Sequence, residues 1–196
     1  MIVGYHIIFG AYGFWLPNDP RGSWSDCVGS WDLFRYGPAT KTTERRSVAH
    51  KAHDHAQRLA TKNALRRPAV KFTGVQARAI GRGFADYVEQ AQFPVWACAI
   101  MPDHVHIVVG RLRIKIEQLV VQLKGSATRS LTAESLHPFG HLRDARARPP
   151  KCFARGEWKV FLDPEDVPRA IRYVESNPLK EGKPRQHWKF VTEYRP

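Results

Sequence analysis

Trp96-Ala97-Cys98-Ala99-Ile100-Met101-Pro102-Asp103-His104-Val105-His106-Ile107-Val108-Val109 reads as two buried strands joined at Met101-Pro102-Asp103. Apolar runs on either side of a Pro-Asp turn predict an antiparallel hairpin. Successive strand side chains alternate faces, so His104 and His106 point the same way while Val105 points into the core. Two imidazoles side by side on a rigid strand make half of a metal site. The plainer alternative is two polar residues at a strand end, satisfied by neighbours or water.

Outward from the hairpin, Pro94 stops a predicted helix over Thr73 to Gln92, in which Val75, Ala79, Phe84, Tyr87, Val88 and Ala91 recur at helical spacing. Gly81 and Gly83 weaken the middle of that helix. A second helix is predicted from Lys115 to Ala133, with Ile116, Leu119, Val120, Leu123 and Ala127 on one face. After a Pro- and Arg-rich loop, Trp158 to Leu162 reads as a strand. Asp163-Pro164-Glu165-Asp166 then reads as a helix start, with Asp163 as the cap and Pro164 in the first turn. Pro178 is expected to limit that helix at about Ser176-Asn177. At the other end of the chain, Gly4 to Phe9 is aromatic and β-branched, a good first strand. The resulting order, β, insertion, α, β, β, α, β, α, predicts an α+β fold. It is the split βαβ pattern of a ferredoxin-like antiparallel sheet with helices on one face. Residues 17–70 read as a basic insertion after the first strand, within a single 1–196 unit.

Charge narrows the function. The 196 residues carry 31 Lys+Arg against 18 Asp+Glu, a formal net charge of +13. Residues 41–82 hold 11 basic against 2 acidic residues, and 111–196 hold 18 against 10. The segments 1–40 and 83–110, which include the first strand and the hairpin, are slightly acidic. Basic surface arranged around a neutral sheet points to a polyanion, first of all nucleic acid. Cys27, Cys98 and Cys152 are odd in number and widely spaced, which argues against a disulfide framework or a zinc knuckle. The N-terminus lacks a secretory pattern and no apolar run reaches membrane-spanning length, so a cytoplasmic protein without membrane contact is expected.

Two further motifs bear on chemistry. His53-Asp54-His55 repeats the His-x-His spacing in an Ala-rich, basic, helix-prone setting, where residues i and i+2 do not face each other. It is not read as a metal site. In Arg169-Ala170-Ile171-Arg172-Tyr173-Val174-Glu175-Ser176-Asn177-Pro178, Tyr173 and Asn177 stand one above the other on a helix face. A tyrosine hydroxyl acts as a nucleophile where a nearby cation favours its phenolate, and an asparagine carbonyl can complete a hard-cation site. A packed aromatic followed by a helix C-terminal Asn is the plainer alternative.

Together, Met101-Pro102-Asp103-His104-Val105-His106-Ile107 and Tyr173-x-x-x-Asn177-Pro178 resemble the paired motifs of single-strand DNA transposases of the one-tyrosine HUH class, particularly the REP-associated tyrosine transposases. The resemblance extends over roughly residues 3–10 and 72–182, including Gln122-Leu123-Lys124-Gly125. It implies an enzyme that nicks and rejoins single-stranded or hairpin DNA. His104, His106 and Asn177 would hold Mg²⁺ or Mn²⁺, and Tyr173 would form a 5′-phosphotyrosine intermediate. It also implies either a monomer or a homodimer, with the tyrosine helix serving its own or its partner's histidines. Lys124, Arg169, Arg172 and Lys180 are candidate DNA contacts, with Lys183 beyond them. Asp103 is read as a turn residue in preference to a group orienting an imidazole. Trp15, Trp24 and Trp31 are read either as stacking platforms for unpaired bases or as anchors for the insertion. Two other functions are weighed: a catalytically silent, domesticated DNA-binding protein of the same fold, and an unrelated metal enzyme acting on a small substrate.

Overall fold

A computed structural model of the chain describes residues 1–16, 28, 31–38, 54–143 and 145–196. The elements run β1 (Gly4–Gly10), α1 (Trp31–Phe34), α2 (His55–Asn63), α3 (Gly74–Ala91), β2 (Val95–Ile100), β3 (His104–Gly110), α4 (Ile116–Ala133), β4 (Trp158–Leu162) and α5 (Val167–Lys180). The strands form an antiparallel sheet in the order β2-β3-β1-β4, as the split βαβ pattern requires. Much of the predicted insertion, including Trp24 and His53, lies outside the described residues. Asp54 caps α2 by accepting from the Gln57 backbone N–H at 2.9 Å, so His55 opens that helix.

Alternation along the central strands builds two cores. Ile7 and Phe9 of β1 and Val105, Ile107 and Val109 of β3 face α3 and α4, where they meet Ile80, Phe84, Leu119 and Leu123. The opposite face carries Ala97 and Ala99 of β2 and the following Met101 with Val108 and Leu162, and these pack against Val167, Ala170 and Val174 of α5. The expectation of helices on one face therefore holds for the two crossover helices but not for α5. The reason is visible in β2, which is apolar at successive positions as a strand covered on both sides should be. Ala97 and Ala99 are small enough for α5 to lie close against the sheet.

The start and end of α5 also differ from expectation. Asp163 does not cap it. The Asp163 carbonyl accepts from the N–H groups of Asp166 (2.9 Å) and Val167 (3.3 Å), closing a turn, and its carboxylate pairs with the N-terminal amine at 3.0 Å. Asp166 is the cap residue, without a side-chain capping bond, and Pro168 supplies the early proline. Pro178 lies inside α5, which continues to Lys180. Its missing N–H removes a single bond in the last turn, so the helix survives the loss.

Thr73 and Gln76 form a reciprocal capping box at the start of α3. The two glycines that weaken α3 by propensity have packing reasons. Trp188 of the C-terminal tail occupies the space a side chain at Gly81 would need. At Gly83 a Cβ would stand 2.6 Å from the Ser126 carbonyl oxygen of α4. The tail also covers the outer edge of β2: the Gln186 amide pairs with both the N–H and the carbonyl of Ile100 at 2.8 Å, and the Thr192 N–H donates to the Val95 carbonyl at 2.8 Å. An edge strand closed in this way presents fewer free backbone groups for intermolecular pairing.

Gly83→Ala should destabilise the protein by about 1–3 kcal/mol in urea unfolding, because overpacking outweighs the gain of roughly 1 kcal/mol in helix propensity. A variant more stable than the parent would mean that the α3–α4 contact is looser than described.

Candidate active site

The β1–β3 register sets Ile8 opposite His106, Gly10 opposite His104 and His6 opposite Val108. His6 is therefore a diagonal neighbour of His106 on the α5 side of the sheet, close enough for two rings to touch. Its Nε2 lies 3.0 Å from Nδ1 of His106, and the rings stack with centroids 5.2 Å apart. Nε2 of His106 lies 2.9 Å from Nε2 of His104. Nδ1 of His104 in turn lies 2.7 Å from the Asp103 carboxylate. A hydrogen-bonded chain, Asp103–His104–His106–His6, thus crosses from the hairpin turn to the central strand.

Asp103 corrects its sequence reading. It does sit in the turn, where its carbonyl accepts from the Ala11 N–H at 2.8 Å, but its side chain also orients an imidazole. His6 was not singled out from the sequence. Its place in the alternation of β1 was legible, but its meeting with His106 depends on the strand register, which no local pattern prints.

Helix α5 delivers the second motif. The Tyr173 ring stands edge-on to His106 and His6, at centroid distances of 5.6 and 5.8 Å, and these are histidines of its own chain. Val174 and Ala170 lock the helix beneath it. Asn177, one turn on, is buried, and its Nδ2 has no hydrogen-bond partner among the described residues. Lys180 places its ammonium 4.5 Å from the Tyr173 ring centroid. On the far side of the pair, Phe14 stacks on His104 at 4.8 Å and Trp15 packs edge-on against Phe14.

Burial governs the electrostatics. It lowers His6 from 6.5 to about 4. It also holds His106 well below its usual value, helped by the neighbouring His104, His6 and Lys180. Both rings are therefore neutral near pH 7, with lone pairs available. Burial raises the Tyr173 phenol, and the nearby Asn177 amide opposes that shift without completing a hydrogen bond from Nδ2. The tyrosine is thus protonated near neutral pH.

The donor set suits a divalent cation. Two cis ligands each about 2.1 Å from one ion stand about 3 Å apart, which matches the 2.9 Å between the two Nε2 atoms. Each imidazole has its Nδ1 held by a partner, the arrangement that metal-binding histidines use. Among the described residues no group of three or more His, Cys, Asp or Glu side chains could hold a metal ion. A third donor drawn from the described residues would be of another type, and the Asn177 amide is of that kind.

The candidate DNA contacts divide. Arg172 and Lys180 are exposed on α5, and Arg169, on the same helix, pairs with Asp166 at 2.6 Å. Lys183 pairs with Glu181 at 3.0 Å. Lys124 lies on the α3–α4 side of the sheet, under the Phe9 ring, where it donates to the carbonyls of Ala154 and Gly156. Burial there lowers it to about 8. Trp15 packs against Phe14, which in turn stacks on His104, whereas Trp31 is exposed on the four-residue α1.

The sequence model of the family described as "Transposase IS200 like" matches residues 44–144. The chain belongs to this family. The matched stretch contains the hairpin and both histidines and ends before α5, so Tyr173 and Asn177 lie beyond it. Membership agrees with the transposase resemblance carried by the two motifs and makes the chain one of a class of enzymes that act on DNA. Among solved structures it is similar to a REP-associated tyrosine transposase bound to a REP hairpin, at 10% identity and a TM-score of 0.48, over 92% of this chain and 68% of that one. It is also similar to a transposase-like protein from Deinococcus radiodurans, at 15% identity and a TM-score of 0.40, over 90% and 91%. No curated protein matches the chain. No helix among the described residues is long and apolar enough to cross a membrane.

The depressed pKa of His6 sets a pH dependence. A histidine lowered in the folded state contributes stability that is fully present above the unfolded value of 6.5 and is lost as pH falls toward about 4. Urea unfolding should lose on the order of 3 kcal/mol from this group across that window. His6→Gln should make the loss shallower, and an equally steep loss would place its origin elsewhere.

Proposed function

We propose that this protein cleaves and rejoins single-stranded or hairpin DNA through a covalent bond between Tyr173 and a 5′ phosphate. The observation that carries the reading is the meeting of Tyr173 with His106 and His6 at 5.6 and 5.8 Å within one chain. Residues from β1, β3 and α5 have no need to converge on one solvent-reachable point for packing alone. Tyr173 itself is 42% exposed, so a substrate can reach it.

In the proposed reaction the Tyr173 hydroxyl gives up its proton to solvent as its oxygen attacks a phosphodiester phosphorus. The P–O3′ bond breaks, the 3′ oxygen leaves and takes up a proton, and the 5′ phosphate stays on the tyrosine. Attack by a 3′-hydroxyl on that phosphotyrosine reverses the step, conserving bond energy without ATP. His104, His106 and Asn177 would hold a divalent cation such as Mg²⁺ or Mn²⁺, which supplies Lewis-acid stabilisation of phosphoryl charge and favours a phenolate. Lys180, next to the ring, adds positive charge on the solvent side. Arg172 and Arg169 of α5 would meet the DNA backbone, a contact that binds without reading sequence. Trp15, packed on Phe14 beside His104, is positioned to stack an unpaired base.

The test incubates the purified chain with labelled single-stranded and hairpin DNA, with and without Mn²⁺. A covalent protein–DNA adduct should form with Mn²⁺ and disappear in Tyr173→Phe. His104→Ala should abolish the adduct while DNA affinity stays within a few-fold, because phosphate contacts elsewhere dominate binding. DNA binding without an adduct on every substrate would favour the silent DNA-binding protein instead. Because the phenol is raised and protonated at neutral pH, adduct formation should accelerate as pH rises from about 6 to about 9. A flat profile would mean that proton loss from Tyr173 does not limit the step.

A further inference from the structure

We propose that His6 is a positioning residue that lets His106 present its Nε2 lone pair, and that holding a cation reverses the direction of donation along the buried histidine chain. The inference rests on the reading that His104 and His106 hold a divalent ion.

With all three rings neutral, the hydrogens of the free protein have one consistent assignment. A carboxylate only accepts, so His104 donates to Asp103 from Nδ1 and keeps a lone pair on Nε2. The 2.9 Å contact then requires His106 to donate from its own Nε2. That leaves a lone pair on Nδ1 of His106, so the 3.0 Å contact requires His6 to donate from Nε2. Donation runs His6 to His106 to His104 to Asp103, and each contact is satisfied.

This assignment leaves His106 unable to bind a cation, since its Nε2 carries a hydrogen. To present a lone pair there, His106 must hold its hydrogen on Nδ1. His106 is buried, so that hydrogen needs an acceptor, and the group in reach is Nε2 of His6. His6 must then carry its own hydrogen on Nδ1. Both rings exchange one neutral tautomer for the other, and no net proton is gained or lost at either. Asp103 already fixes His104 in the binding form, so the reversal falls on His106 and His6 alone. A residue at position 6 that can only donate, or that does neither, would oppose the cation-bound form.

Nitrogen-15 NMR of the histidine rings reads this directly. In the free protein His6 and His106 should be protonated on Nε2 and His104 on Nδ1. Saturating Mg²⁺ should move His6 and His106 to the Nδ1–H form. Mn²⁺ affinity, measured by electron paramagnetic resonance, should fall about 10- to 100-fold in His6→Phe. His6→Gln, whose amide both donates and accepts, should recover most of it. If His6→Phe binds Mn²⁺ as tightly as the parent, and Mg²⁺ shifts His106 without shifting His6, the role of His6 is overturned while the cation site stands. If the parent binds no Mn²⁺, the cation reading and this inference fall together. The tautomers of the parent protein decide the matter even if His6→Phe does not fold.

Discussion

Strand β3 has to serve two cores at once, and the rest of the structure follows from that. Val105, Ile107 and Val109 seal the layer formed with α3 and α4, while His104, His106 and Val108 face α5. A helix laid over the second face is held by apolar contacts at Val167, Ala170 and Val174, and it leaves the imidazoles bounded by protein on several sides. Burying two polar rings is costly unless their nitrogens are paired. The pairing comes from Asp103 in the turn and from His6 across the strand boundary. The hydrogen-bond chain thus satisfies the imidazole nitrogens that α5 and β3 enclose.

The same burial determines the chemical character of the site. Neutral imidazoles are ligands, and desolvation keeps His6 and His106 neutral well below physiological pH. Desolvation also raises the Tyr173 phenol, which makes it a poor nucleophile unless positive charge is brought near. Lys180 supplies some of that charge, and a cation held by the two Nε2 atoms would supply more.

Much of this was legible in the sequence. Trp158–Leu162 matches its predicted bounds because turn residues and strand composition agree there. The split βαβ order emerged from the periodicities alone. His104, His106, Tyr173 and Asn177 were identifiable because strand and helix spacing place each pair on one face. What stayed hidden depends on tertiary register. The covering of the second sheet face by α5 was implied by the unbroken apolar run of β2 but needed the helix to be placed. Asp163 looked like the α5 cap by residue type, yet it is engaged in a turn and with the N-terminal amine, so the helix begins at Val167. His6 gains its role through a contact 100 positions along the chain, beyond the reach of any local pattern.

The central claim, that Tyr173 is the residue joined to DNA, is tested most directly by mapping the attachment. A DNA adduct formed with Mn²⁺ can be digested with nuclease and trypsin and the nucleotide-bearing peptide sequenced by mass spectrometry. The account predicts a nucleotide on the peptide Tyr173–Lys180, attached through the tyrosine oxygen. A nucleotide found instead on another tyrosine, or on a residue outside α5, would contradict it.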